Sequence, residues 1–227
     1  MIPKIIHYCW FGRNSKPTSV LNNINTWKKI MPDYTFKEWN EDNFNINYNS
    51  FTKEAYKTKK FAFVSDVARL FALYNYGGIY LDTDIIVCKS LTPFLYEKSF
   101  MGYEANNLVG TGVIGAEKGC IWIGQFLSLY NNHSFISWKG RLDLQPNTEK
   151  MIPLLKQRGC IFDNNEALLD EGIHIYPYEY FCAKNFATGI ITRTDITYTI
   201  HDYSATWKAR KSCSLFNRIC NLKIKIL

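Results

Sequence analysis

At 227 residues, 47% of them hydrophobic and 21% charged, the chain is long enough for one domain with a full core, and its composition is that of a soluble globular protein rather than a disordered or fibrous one. The net charge of +7 would fit a nucleic-acid partner, but six of the positive charges, Lys208, Arg210, Lys211, Arg218, Lys223 and Lys225, follow Trp207 with no acid among them. The body is nearly neutral and the tail is basic, which argues against nucleic acid.

No apolar run approaches the roughly 18 residues that span a bilayer, and Met1 leads into a strand-like segment with no export signal ahead of it. The seven cysteines are scattered, without a Cys-x-x-Cys pair. Reduced thiols in the cytosol are the expectation, with Cys9, Cys88 and Cys160 as small core residues, and a zinc site has poor support.

Lys4 to Cys9 reads as a first strand, and Trp10-Phe11-Gly12 turns sharply out of it. An aromatic at the end of a first α/β strand is placed to lie flat against a nucleotide base; a buried edge Trp10 and a satisfied core His7 are the plain alternative. Thr18 to Met31 carries Val20, Leu21, Ile24, Trp27 and Met31 at helical spacing until Pro32-Asp33 ends it. Tyr34 to Trp39 alternates as a second strand, Asn40 to Asn49 reads as loop, and a short helix is expected around Thr52 to Lys59.

The stretch from Phe63 to Val87 organises the chain. Val67, Leu70, Phe71 and Tyr74 recur at i, i+3, i+4 and i+7, the buried stripe of an amphipathic helix with Ser65 as its N-cap, and Gly77-Gly78 stops it. Ile79 to Leu81 reads as a short buried strand, so Tyr80, Asp82 and Asp84, two apart, project from one side where that strand runs out. Two carboxylates that close repel each other, an arrangement that makes physical sense with a divalent cation between them; an all-oxygen site suits Mn²⁺ or Mg²⁺. Asp66 and Arg69, three residues apart on a second face of the helix, can pair or reach into the same cleft. A bare Asp-x-Asp is common by chance; its weight here comes from the helix, double glycine and apolar strand before it.

Ile85 to Val87 continues as strand, and Phe100 to Tyr103 and Leu108 to Ala116 read as two more, the second with Gly110, Gly112 and Gly115 inside it, where glycine marks close approach of a ligand or another backbone. After a helix over Gly119 to Tyr130, the stretch Asn131 to Asn147 is long and irregular, as binding loops often are, and Trp138, Arg141, Asp143 and Gln145 are its candidates for ligand contact. Thr148 begins another helix, Gly172 to Tyr180 reads as a strand and bend, and Thr197 to Ile200 as a late strand leading into His201-Asp202-Tyr203-Ser204-Ala205-Thr206-Trp207. Leu215, Ile219, Leu222 and Ile226 then fall at helical spacing beside Arg218 and Lys225. A basic amphipathic tail of this kind suits an anionic membrane surface, or packs on the body. The division expected is a catalytic domain over 1–207 and a tail over 208–227.

SDVARLFALYNYGGIYLDTD resembles the signature of the DXD-containing sugar transferases, the family that takes in fungal initiating mannosyltransferases, bacterial capsule glycosyltransferases and, more distantly, clostridial toxin glucosyltransferase domains. IPKIIHYCWFG, GTGVIGAEKG, YPYEYFCAKNFATG and HDYSATW extend the resemblance over most of the chain. It implies an α/β GT-A fold in a single domain and a metal-dependent, retaining enzyme. The donor implied is a nucleotide sugar, with UDP-linked hexose or N-acetylhexosamine first. The acceptor implied is a lipid-linked oligosaccharide of capsule or O-antigen synthesis, met at the cytoplasmic face of the membrane.

On that resemblance Trp10 stacks on uracil with His7 nearby, Asp84 binds the metal, and Asp82 binds it too or holds the ribose. His201, with Asp202 as its substitute, completes the metal shell, Asp66 and Arg69 orient the sugar, Tyr80 lies in the donor site, and Trp207 holds the pyrophosphate through its indole N–H. The chain departs from the family pattern where Gly110 replaces an Asn and where His201-Asp202 replaces two histidines. Two readings from other classes compete. One is a haloacid-dehalogenase-like phosphatase in which Asp82 attacks phosphorus, although the motif lies far from the N-terminus and a later acidic metal motif is missing. The other is a non-enzymatic carbohydrate- or membrane-binding module, supported by 16% aromatic residues and the basic tail.

Overall fold

The computed structural model describes residues 1–105 and 107–204. Strand β1 (Ile5–Cys9) leads through helix α1 (Thr18–Ile30) to β2 (Thr35–Trp39), which lies parallel to β1 on one side. The chain then passes through α2 (Ser50–Lys57) and α3 (Phe61–Tyr76) and returns as β3 (Gly78–Leu81), parallel to β1 on its other side. Strand order therefore reverses at β1. Beyond β3 the sheet becomes mixed: β6 (Leu108–Ala116) is antiparallel to β3 and to β5 (Ser99–Ala105), β8 (Ile173–Tyr176) is parallel to β5, and β7 (Ala167–Leu169) closes the edge. A second, two-stranded sheet pairs β4 (Ile85–Val87) with β9 (Thr199–His201).

Apolar residues cover both faces of the large sheet. Val64, Leu70, Leu73, Ile114, Trp122 and Phe126 pack α3 and helix α4 (Ile121–Ser128) on one side; Ile6, Trp27, Leu81, Phe94, Phe100 and Phe181 form the other. Helix α5 (Asn147–Lys156) joins the first face and the short α6 (Tyr178–Phe181) the second. Among the described residues no helix is long and apolar enough to cross a membrane. Cys9 and Cys160 are buried as expected, whereas Cys88 is only half-buried.

Three local expectations are corrected. Helix α3 starts at Phe61, one turn before Ser65, whose hydroxyl donates back to the Phe61 carbonyl (3.2 Å) instead of capping a first turn. The extra turn is held by Phe61 against Tyr56 and by Phe63 against Phe51 and Phe135. The stripe is also wider than its period implies: Tyr74 is 39% exposed, while Val64, Asp66, Ala68, Arg69 and Ala72 are buried, because α3 packs against the sheet, α2 and α4 at once. Helix α2 runs from Ser50 to Lys57, started by a reciprocal cap in which the Asn49 side chain accepts from the Thr52 N–H and the Thr52 hydroxyl accepts from the Asn49 N–H.

The double glycine after α3 has a steric cause. Gly77 and Gly78 sit at φ +66° and +112°, and a Cβ on Gly78 would stand 2.6 Å from the Ile5 carbonyl oxygen. Only glycine lets β3 approach β1 closely enough to pair there.

Candidate active site

The carboxyl ends of β1 and β3 meet where strand order reverses, the place at which open α/β sheets bind ligands. Trp10 follows one of these ends and Asp82 the other. The Asp82 N–H donates to the Gly112 carbonyl (2.8 Å) and the Ile85 N–H to the Asp82 carbonyl (3.0 Å), so residues 82–85 form a tight turn between β3 and β4. Helix α1 braces it: Asn23 Nδ2 donates to the Thr83 carbonyl (3.0 Å) and the Trp27 indole to the Ile85 carbonyl (2.9 Å). Both carboxylates are half-buried on this turn.

Pairing of Ile85 with His201 across β4 and β9 carries the imidazole to the same place. Ligand atoms of Asp82, Asp84 and His201 all lie within 4.8 Å of one another, with His201 Nε2 3.2 Å from Asp84 Oδ1. Burial disfavours a charged imidazole, but hydrogen bonds to Asp84 and Cys182 outweigh it and raise the His201 pKa well above its ordinary value. Two carboxylates thus draw positive charge to one point, and their oxygens together with an imidazole nitrogen form a donor set that fits Mn²⁺ or Mg²⁺. Gly112 leaves room there, since a Cβ would come 3.3 Å from Asp82 Oδ2 and 3.4 Å from the His201 ring.

The other oxygen of Asp82 is engaged. Oδ1 accepts from Arg69 Nη2 (3.1 Å) and from the Tyr80 hydroxyl (2.9 Å). The same Nη2 lies 3.2 Å from Asp66 Oδ1, Nη1 donates to the Thr111 carbonyl (2.6 Å), and the guanidinium lies 4.5 Å from the centre of the Tyr80 ring. Asp66 and Arg69 therefore do both things left open by the sequence: they pair, and they reach the cleft. Burial lifts the Asp66 carboxyl to about 6 against the pull of Arg69; burial alone would lower the Arg69 pKa, but Asp82, Tyr80 and Asp66 raise it.

Other expected residues are placed differently. His7 is fully buried, with Nε2 2.7 Å from the Gly77 carbonyl and Nδ1 accepting from the Trp39 indole at 3.1 Å. That partner set fixes a neutral tautomer which ties β1 to β2 and to the end of α3, a role in the core rather than in donor binding. Trp10 is half-buried at the expected edge, its indole N–H donating to the Asn14 carbonyl (2.7 Å). Asp202 Oδ1 is held by Lys184 (2.6 Å), so His201 and not Asp202 is the third member of the cluster. Trp207 and the tail over 208–227 lie outside the described residues.

In the 131–147 loop, Trp138 is 90% exposed at the tip of a small hairpin, and Arg141 and Gln145 are exposed. Asp143 is braced by His133 and Lys150, both at 2.6 Å, and is a tie within the loop. Thr111 and Asn147, not among the expected site residues, join the Arg69 network through backbone and side chain. Nothing local marks them; only the packing of α5 on β6 brings them together.

His7 gives a pH prediction. Burial, the largest influence, pushes its pKa down to about 4, against the hydrogen bond to Gly77. Above pH ~6.5 the ring is neutral whether the chain is folded or not; as pH falls from there to 4, only the unfolded chain takes up the proton, so stability is lost. Urea midpoints at pH 7, 5.5 and 4 should show the wild type losing about 3 kcal/mol more than His7→Gln over that range. Parallel losses in the two proteins would contradict a buried neutral His7.

Residues 17–101 match the family model described as the glycosyltransferase sugar-binding region containing DXD motif. The chain carries a DXD-type glycosyltransferase region. Asp66, Arg69, Tyr80, Asp82 and Asp84 all fall inside this DXD region, while His201 comes from beyond it. Inositol phosphoceramide mannosyltransferase 3 of Schizosaccharomyces pombe is 30% identical over 129 residues, covering 52% of this chain and 34% of the mannosyltransferase. Lactosylceramide 4-alpha-galactosyltransferase of Pongo pygmaeus is 34% identical over 74 residues, 33% of this chain and 27% of the galactosyltransferase. The chain thus aligns with about a third of the length of these relatives.

Among solved structures, a glycosyltransferase involved in the glycosylation of the major capsid of PBCV-1 matches with a TM-score of 0.50 at 10% identity, over 89% of this chain and 95% of that one. That likeness is one of fold, and the DXD region sits in a GT-A architecture. The relatives named above are glycosyltransferases and not phosphatases.

Proposed function

We propose that the chain is a metal-dependent, retaining glycosyltransferase that moves a hexosyl or N-acetylhexosaminyl group from a UDP-sugar to a lipid-linked glycan of a surface polysaccharide such as capsule or O-antigen. The observation that carries this reading is the convergence of Asp82, Asp84 and His201 at the switch point, beside the buried Asp66–Arg69 pair. Both relatives are named for glycolipid or phosphoceramide acceptors, which supports a lipid-borne acceptor here.

A divalent cation held by Asp82, Asp84 and His201 would neutralise the charge of the departing diphosphate. Arg69 pins Asp82 through Oδ1, which leaves Oδ2 beside His201 to face the ligand. In this reading Asp66 and Arg69 would hold sugar hydroxyls, and Trp10, just past the end of β1, would lie against the base. In the proposed step the bond from the anomeric carbon to phosphate oxygen breaks, the bond to the acceptor oxygen forms on the same face, and the acceptor's proton passes to the leaving phosphate.

Incubation with UDP-glucose, UDP-galactose, UDP-N-acetylglucosamine and GDP-mannose tests the reading. Release of nucleoside diphosphate that requires Mn²⁺ and stops with EDTA is expected for at least one donor; release from none of the four, with or without acceptor lipid extract, would contradict it. The localisation proposed is peripheral, at the cytoplasmic face of the membrane, through the basic residues that follow Trp207. A chain ending at Trp207 should bind nucleotide but no longer sediment with anionic vesicles; undiminished sedimentation would refute the tail's part.

A further inference from the structure

The first residue of α5, Asn147, is only 5% exposed, yet its amide nitrogen has no hydrogen-bond partner among the described residues. Its other end is fixed: Thr111 Oγ1 donates to Asn147 Oδ1 at 2.9 Å. The carbonyl of the same Thr111 takes Arg69 Nη1, whose neighbouring Nη2 holds Asp66 and Asp82. Asn147 is therefore one residue removed from the Asp66–Arg69 pair.

It is not the sole unsatisfied group of this wall. Arg69 Nε and the Tyr130 hydroxyl are also buried and unpartnered among the described residues, and the charges acting on Tyr130 are those of Asp66, Arg69 and Asp143. Buried polar groups left without partners in a folded protein point to a ligand or ordered water that completes them. What completes these must offer acceptor oxygens to N–H groups while tolerating the Asp66 carboxylate, a description that fits the hydroxyls of a neutral sugar ring and not a phosphate.

We propose that Asn147 presents its amide N–H groups to a hydroxyl oxygen of the transferred sugar and so takes part in choosing the donor. The inference rests on the glycosyltransferase reading and deepens it. Asn147→Asp is the discriminating change, because it keeps the size of the side chain and the bond from Thr111 but removes both donors. If the amide stood the other way round and offered an acceptor, this variant would bind as well as the wild type.

The experiment uses the full chain with Mn²⁺, the best of the four nucleotide sugars named above, and sugar-free UDP or GDP as a reference ligand. Asn147→Asp and Asn147→Ala should each raise KM for the nucleotide sugar ~10-fold or more while leaving the affinity for the free nucleoside diphosphate unchanged. Unchanged KM, with or without a lower melting temperature, would mean that the amide serves only the fold or a bound water and would overturn the inference, as would equal weakening of the free nucleotide. A wild type that binds no nucleotide with Mn²⁺ would overturn the glycosyltransferase reading, and this inference with it.

Discussion

Exchanging Asp82 and Asp84 together for Asn should lower Mn²⁺-dependent donor turnover by about 10³-fold, the scale seen when a charge that stabilises a transition state is removed. The change is nearly isosteric, so the turn over residues 82–85, held by its own backbone bonds and by Asn23 and Trp27, should survive. Asp84 is the cleaner half of the pair. Its carboxylate bonds neither Arg69 nor Tyr80 but stands beside Asp82 and pairs with His201, so Asp84→Asn alone should leave the Arg69 network intact while reducing turnover at least about 10²-fold. Turnover within a few-fold of wild type in the double variant would remove the paired acids from the chemistry.

The second large effect is on stability. Arg69→Met keeps the stem but strands two carboxylates, of which Asp66 is buried, and leaves the Thr111 carbonyl without its donor. Breaking a buried ion pair from one side costs about 3–5 kcal/mol, a large share of the 5–15 kcal/mol typical of a domain. Adding Asp66→Asn should recover part of that loss, since the orphaned charge is then gone. Arg69→Lys should recover less than its charge implies, because an ammonium lacks the planar fork that reaches Asp66, Asp82 and Thr111 together. Urea denaturation of the four proteins measures all of this; a loss below about 1 kcal/mol for Arg69→Met would show that the guanidinium does not organise the site.

What could be read from the chain was what local periodicity encodes. Leu108–Ala116 forms a strand over the expected bounds, Thr18–Ile30 a helix one residue short of expectation, and Asp66 and Arg69 meet because residues three apart on a helix must. The double glycine and the carboxylates after β3 were legible for the same reason: each depends on residues within a turn of it. Hidden from the sequence was what distant packing decides. His7 reads equally as a ligand or a core residue, and only the approach of Trp39 and Gly77 makes it a strut. His201 was the preferred ligand over Asp202, but spacing alone could not bring it to the acids; the pairing of Ile85 with His201, across more than a hundred residues, does so, and Lys184 draws Asp202 away. The link from Asn147 to Thr111 depends in the same way on where α5 lands on the sheet.

Pulsed electron paramagnetic resonance of Mn²⁺ bound in the presence of UDP tests the core of the account most directly. The expected spectrum shows one ion coupled both to phosphorus of the diphosphate and to an imidazole nitrogen that disappears in His201→Ala, with no bound ion in the Asp82→Asn/Asp84→Asn protein. Phosphorus coupling without nitrogen, unaltered by either set of substitutions, would place the ion elsewhere and contradict the assignment.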